Sequence, residues 1–258
     1  LSLLAGYVLV LIFIYLNQRN LLYHPAENNY LEDKIEFNHE EVWIETEKDI
    51  KLKSWLIKKD LKKFKTLVFF HGNAGNLFNR VHKLNELSKL DINILIISWR
   101  GFSGNPGKPT EKNLYTDARI SIKWLNNLGV SDDKIILYGE SLGTGVAVEL
   151  GQKNTFSSVI LESPFTSVAK AAKIYYPYLP INLLLKDRYD SIDKIDKITK
   201  PVLIMHGMKD NIVPHEMGVM LFQKANHPKY SYFPKHDDHM MDFNEKLLDT
   251  IRIFINKN

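Results

Sequence analysis

The spacing of hydrophobic positions changes character along the chain, and each change marks a different kind of element. Residues 1–16, L-S-L-L-A-G-Y-V-L-V-L-I-F-I-Y-L, are apolar and carry no charge, and polar residues begin at Asn17, Gln18 and Arg19. A few more residues would bring this run to the roughly 20 that cross a bilayer as a helix. The chain starts on leucine, so upstream residues are expected to be missing, and residues 1–19 read as an incomplete N-terminal membrane anchor. No small-residue cleavage pattern follows, and Leu21, Leu22 and Tyr23 extend the apolar character toward the interface. That favours a retained single-pass anchor over a cleaved signal peptide. Tyr15 and Tyr23 suit the interfacial zone. Residues 20–34, with His24-Pro25, read as an irregular linker.

Residues 40–44 and 50–57 alternate apolar with polar, which predicts an antiparallel hairpin at a sheet edge. The pattern then becomes short and continuously apolar at residues 66–70, 92–97, 135–138, 158–161 and 201–205. Such runs suit strands covered on both faces. Helical periodicity lies between and after them, at about 76–90, 111–128, 142–152, 215–225 and 243–256. Alternating strand and helix predicts an α/β fold with a mostly parallel, doubly wound sheet, here over residues 35–258. In such sheets chemistry gathers at the carboxyl ends of the strands. Residues 166–200 break the rhythm with an apolar, aromatic insertion, Ala169 to Leu185, expected to form a small cap over those strand ends.

Composition narrows the classes. With 258 residues, 45% of them hydrophobic, the chain can bury one sizeable core. The net charge of +4 is spread out, and pairs such as Lys58-Lys59 and Lys62-Lys63 read as a solvated face. No interleaving of basic and aromatic residues argues for nucleic acid. The absence of cysteine excludes disulfides, thiolate metal sites and a cysteine nucleophile.

The candidate chemistry starts at Gly139-Glu140-Ser141-Leu142-Gly143, a G-x-S-x-G between an apolar strand and a helix rich in small residues. That context is the one a nucleophile elbow requires. A serine hydroxyl needs a base, and the base needs an acid to orient it. After the strand at 201–205, the loop His206 to Pro214 offers Asp210, with Glu162 as the runner-up. After the last strand, K-H-D-D-H offers His236 and His239, and His236 is preferred because it lies nearer the strand end. The H-D-D-H cluster lacks the third facing ligand that a catalytic metal would want. The loop His71-Gly-Asn-Ala-Gly-Asn76 follows the first long parallel strand. There the Asn73 N–H, with that of Leu142, is placed to receive an oxyanion. The same loop lacks the G-K-[ST] ending of a nucleotide-binding turn. His71 reads as structural, and Arg100 as either a turn residue or a group for a substrate carboxylate.

The blocks H-G-N-A-G-N, W-R-G-F-S-G-N-P-G-K-P-T-E, G-E-S-L-G-T-G, E-S-P-F-T-S, H-G-M-K-D-N-I-V-P and K-H-D-D-H occur in the order seen in the Bem-type α/β-hydrolases, which they resemble. Those proteins are membrane-anchored relatives of the mammalian α/β-hydrolase-domain depalmitoylases, and even Q-R-N-L-L-Y-H-P after the anchor is similar. The resemblance spans about residues 18–255. It implies an α/β-hydrolase fold with the nucleophile at Ser141, the acid at Asp210 and the base at His236. The family's catalytic histidine usually follows glycine and precedes N-D, whereas here Lys235 precedes and Asp237-Asp238 follow.

The expected function is hydrolysis of carboxylic esters or thioesters at a membrane through an acyl-enzyme, without a cofactor. Thioesters of lipidated proteins are the sharper substrate expectation, and general lipid or short-chain esters are the broader one. Two other classes stand beside it: a non-catalytic membrane scaffold on the same fold, and a serine peptidase of that fold.

Overall fold

The protein is described by a computed structural model covering residues 2–25 and 34–258. The apolar run forms helix α1 (Ser2–Leu22), about 30 Å long at 1.5 Å per residue. It ends at Leu22, three residues into the segment 20–34 expected as linker, and its polar residues bond to the rest of the protein. Gln18 donates to the Leu184 carbonyl and accepts from the Lys186 N–H, and Arg19 pairs with Asp187. The chain then forms a two-residue strand, β1 (His24–Pro25). The remainder of the expected linker, residues 26–33, lies outside the described residues.

The edge hairpin is β2 (Glu40–Glu47) and β3 (Ile50–Ile57). Next come β4 (Thr66–Phe70), the short β5 (Ala74–Gly75), a turn of 3-10 helix at Phe78–Arg80, α2 (Val81–Leu87) and β6 (Asn93–Ile97). Helix α3 (Glu111–Asn127), β7 (Ile135–Glu140), α4 (Leu142–Gly151) and β8 (Ser158–Glu162) follow. The insertion carries α5 (Val168–Tyr175) and α6 (Ile181–Leu184). The chain closes with β9 (Val202–Met205), α7 (His215–Lys224), β10 (Lys229–Tyr232) and α8 (Glu245–Lys257).

Among the described residues, eight strands form one sheet in the order β10-β9-β8-β7-β4-β6-β3-β2. The pairs from β6 to β10 are parallel, and β3 and β2 add an antiparallel edge. The continuous apolar runs are explained by burial on both faces. Side chains alternate across the sheet, so Val68 and Phe70 join one core while Leu67 and Phe69 join the other. Helices α3, α4 and α7 cover the first face, and α2 and α8 cover the second. Polar residues start the helices: Thr110 accepts from the Asn113 N–H and Asn244 from the Leu247 N–H. The central parallel strands therefore all end on one side of the molecule, beneath the inserted α5 and α6.

Candidate active site

Ser141 sits at the turn between β7 and α4 with φ +48° and ψ −114°, outside the regions that serine prefers. Two glycines make the turn possible. A Cβ at Gly143 would stand 1.9 Å from the Phe70 carbonyl oxygen, and one at Gly139 would stand 2.5 Å from the Thr144 Cα. Neighbouring backbone fixes the strained residue, since the Ser141 N–H donates to the Glu162 carbonyl at 2.9 Å. The Thr144 hydroxyl donates to the Ser141 carbonyl at 2.6 Å.

The Ser141 Oγ lies 3.0 Å from Nε2 of His239, and Nδ1 of His239 lies 2.7 Å from Oδ2 of Asp210. A carboxylate accepts, so Nδ1 carries the proton and Nε2 is left to accept from the serine hydroxyl. The structure thus brings together Ser141, Asp210 and His239, and not His236, the histidine preferred from the sequence. His236 is exposed on the loop after β10. The reason lies in how that loop is anchored. The Met208 N–H donates to the Pro234 carbonyl and the Lys209 N–H to that of Asp237. Residues 234–238 are used up in crossing beside the loop that bears Asp210, so the imidazole of His239, three residues past His236, reaches the serine. The Ser163 hydroxyl then pins the His239 carbonyl at 2.8 Å.

Asp210 is held more completely than the sequence indicated. Its Oδ1 accepts from the N–H groups of Ile212 and Val213, both at 2.8 Å. Its Oδ2 accepts from His239 and also from Nε2 of His206, at 2.9 Å. Burial works to raise the Asp210 pKa, but the bonds from His206, His239 and Val213 outweigh it and hold the carboxyl well below the usual carboxylate range. In the sequence His206 shows only as the start of the loop. The signal was available in the spacing H-x-x-x-D within one tight turn.

Glu162, the runner-up carboxylate, bonds to Lys83 and Tyr138 rather than to His239. It points beneath the elbow into a buried charge cluster with Glu140, Arg80 and Lys83. Lys83 Nζ lies 3.0 Å from Glu140 and 2.5 Å from Glu162, and Tyr138 donates to Glu162 at 2.5 Å. Arg80 joins Glu140 at 2.7 Å and also donates to the Ala74 carbonyl at 2.7 Å. Burial opposes the charge on Glu140, yet Arg80 and Lys83 hold its pKa well below the ordinary value. Burial, with Glu140 close by, pushes Glu162 up. Through this cluster the residue before Ser141 is tied to the loop that carries Asn73. The Gly72 N–H completes the tie by donating to Glu140 at 3.2 Å.

Asn73 and Leu142 lie beside Ser141 in the wall of one cavity. The N-terminal segment holds this loop from the other side. Asn73 Nδ2 donates to the Leu22 carbonyl and the Asn73 carbonyl accepts from the His24 N–H, both at 2.8 Å, while β1 pairs with β5 in parallel. The cavity holds about 240 Å³ and is walled mainly by apolar side chains, among them Leu22, Phe165, Val168, Tyr175 and Ile212. The end of α1 is therefore one of its walls.

His71 is buried. It bonds through Nδ1 to the Gly72 carbonyl and accepts at Nε2 from the Trp99 N–H. Burial, reinforced by the charge of Arg80, pushes its pKa down to about 3, so the ring is neutral. Arg100 forks onto Asp117 and also reaches Glu47, which leaves it no role toward a substrate carboxylate. Among the described residues, no group of three or more His, Cys, Asp or Glu side chains is arranged to hold a metal ion.

A family model described as alpha/beta hydrolase fold matches residues 65–191. The chain is 34% identical over 252 residues to an uncharacterised protein of Mycobacterium tuberculosis, covering 95% of this chain and 90% of that one. It is also 34% identical over 254 residues to protein bem46 of Schizosaccharomyces pombe, covering 91% of this chain and 85% of that one. Among solved structures, the fold is similar to that of the esterase Pf2001 from Pyrococcus furiosus. The TM-score there is 0.73 at 20% identity, covering 92% of this chain and 98% of that one.

Proposed function

Because the chain belongs to the Bem-type α/β-hydrolases, we propose that it is a serine hydrolase that cleaves carboxylic esters or thioesters at a membrane surface. One observation carries this: the unbroken run of hydrogen bonds from Ser141 through His239 to Asp210, opening on an apolar cavity. His239 Nε2 takes the hydroxyl proton as Ser141 Oγ attacks the acyl carbon, and Asp210 steadies the imidazolium that forms. The N–H groups of Asn73 and Leu142 receive the oxyanion. Collapse of the tetrahedral intermediate expels the alcohol or thiol, which leaves with the proton held by His239. Water then attacks the acyl-serine, giving its proton to the same imidazole, and returns the carboxylic acid and free Ser141.

The apolar lining favours the acyl side of the substrate. Helix α1 has the length and composition of a membrane span, and its last turn walls the pocket, which favours acyl chains attached to molecules held at a bilayer, lipidated proteins among them. The test is labelling with a fluorophosphonate probe followed by peptide mapping, beside turnover of thioesters graded by chain length. Adduct on Ser141, no turnover in Ser141→Ala with an unchanged fold, and preference for long chains are the expected results. Full activity in Ser141→Ala would refute the nucleophile, and preference for short chains would refute the lipid substrate.

A further inference from the structure

The cap has a surface that the catalytic reading does not use. From Ile174 to Leu185 the chain runs I-Y-Y-P-Y-L-P-I-N-L-L-L, twelve residues without a charge, with Lys173 before and Lys186 after. An apolar run of this kind on a cap usually packs inward. Here only Ile181 is buried, while Ile174, Tyr176, Tyr178 and Leu183 face solvent, Leu183 at 84% exposure and Tyr178 at 70%. Met208 and Ile212, on the loop that bears Asp210, are exposed as well.

This surface is continuous with α1. The Tyr7 hydroxyl donates to the Tyr178 carbonyl at 2.8 Å, and Gln18 meets Leu184 and Lys186. From Gln18 to Tyr7 the helix rises about 16 Å. The cap thus lies alongside the helix for about half the thickness of a hydrocarbon core. A helix that crosses a bilayer in this arrangement carries Tyr178 and Leu183 into the same leaflet. The charges fall where such a placement needs them: Lys186 stacks over the Tyr15 ring at 4.0 Å, and Arg19 pairs with Asp187 at the base of the cap.

We propose that residues 174–185 are a membrane-dipping element, and that the acyl cavity opens from it directly into the lipid. The proposal rests on the reading of α1 as a membrane span. Its occupant is the hydrocarbon edge of a bilayer, to which an uncharged aromatic and aliphatic surface continuous with an apolar helix is matched. The cavity reaches the surface at Tyr175 and Ile212, both exposed and both part of its lining. A long acyl chain then passes from the bilayer into the site without crossing water.

The chain contains no cysteine, so single cysteines introduced into it can be labelled cleanly. Leu183→Cys, Ile12→Cys and Leu128→Cys would each carry an environment-sensitive fluorophore in vesicles of phosphatidylcholine, with and without lipid bearing a nitroxide on its acyl chain. Leu128 is exposed at the end of α3, away from the cap. Blue-shifted emission quenched by the nitroxide at 183 and at 12, but not at 128, is expected. Aqueous emission at 183 overturns the inference, as does a blue shift there that lipid nitroxide does not quench. The label at 12 then tells whether the membrane-span reading falls with it. As an activity arm, Leu183→Glu should lower turnover of a vesicle-borne long-chain thioester about tenfold or more while leaving a water-soluble short-chain ester unaffected. Equal loss on both substrates, or no loss on either, would contradict it.

Discussion

At the scale of single residues, the protein separates histidines by what surrounds them. His239 has a carboxylate on one nitrogen and a hydroxyl on the other, the arrangement that general base catalysis needs. His206 spends its proton on the same carboxylate from the far side. His71 is sealed in the core and kept neutral, which has a consequence for stability. Its pKa falls from 6.5 unfolded to about 3 folded, so between those values the unfolded chain binds a proton that the folded one does not. Stability from this group is therefore complete above about pH 6.5 and is lost as pH falls toward 3, with a slope of up to about 1.4 kcal/mol per pH unit. Urea unfolding midpoints measured from pH 7 to pH 4 should fall less steeply in His71→Gln than in the unaltered protein. An identical slope in both would show that another group sets it.

At the scale of elements, the turn bearing Ser141 and the loop bearing Asn73 are joined through Arg80, Lys83, Glu140 and Glu162. Removing one charge from a buried, mutually paired set leaves its partners uncompensated. Glu140→Gln should cost about 3–5 kcal/mol of unfolding free energy, read by denaturant titration, and a loss within a few tenths of a kcal/mol would contradict the account. The charges of this cluster were not legible in the sequence. Arg80 and Lys83 lie on a helix read only for its apolar face, and Glu140 looked like the variable position of the motif. The parallel strands were legible, because burial on both faces writes itself as unbroken apolar runs such as 66–70 and 135–138. The last turn of α1, residues 20–22, falls in the segment that the sequence assigns to linker, because nothing local shows that Gln18 and Arg19 bond to residues more than 160 positions away.

At the scale of the whole molecule, an apolar helix, a cap and the cavity beside Ser141 meet at Leu22, and the loop bearing Asn73 is held between that helix end and the charge cluster. On the proposed reading, catalysis and attachment are parts of one structure, and α1 is more than a tether. Ser141 is legible because it follows β7 directly, and Asp210 because it is the one carboxylate in the short loop between β9 and α7. The histidine is not legible, because loop length cannot be counted from the strand when the loop first bonds sideways to Met208 and Lys209.

The most direct measurement is the single-turnover rate of acylation, on one thioester, for His239→Ala beside His236→Ala. Loss of about three to four orders of magnitude in His239→Ala, with His236→Ala near the unaltered rate, is the predicted result. The reverse pattern, or equal rates in the two variants, would contradict the relay from Ser141 through His239 to Asp210.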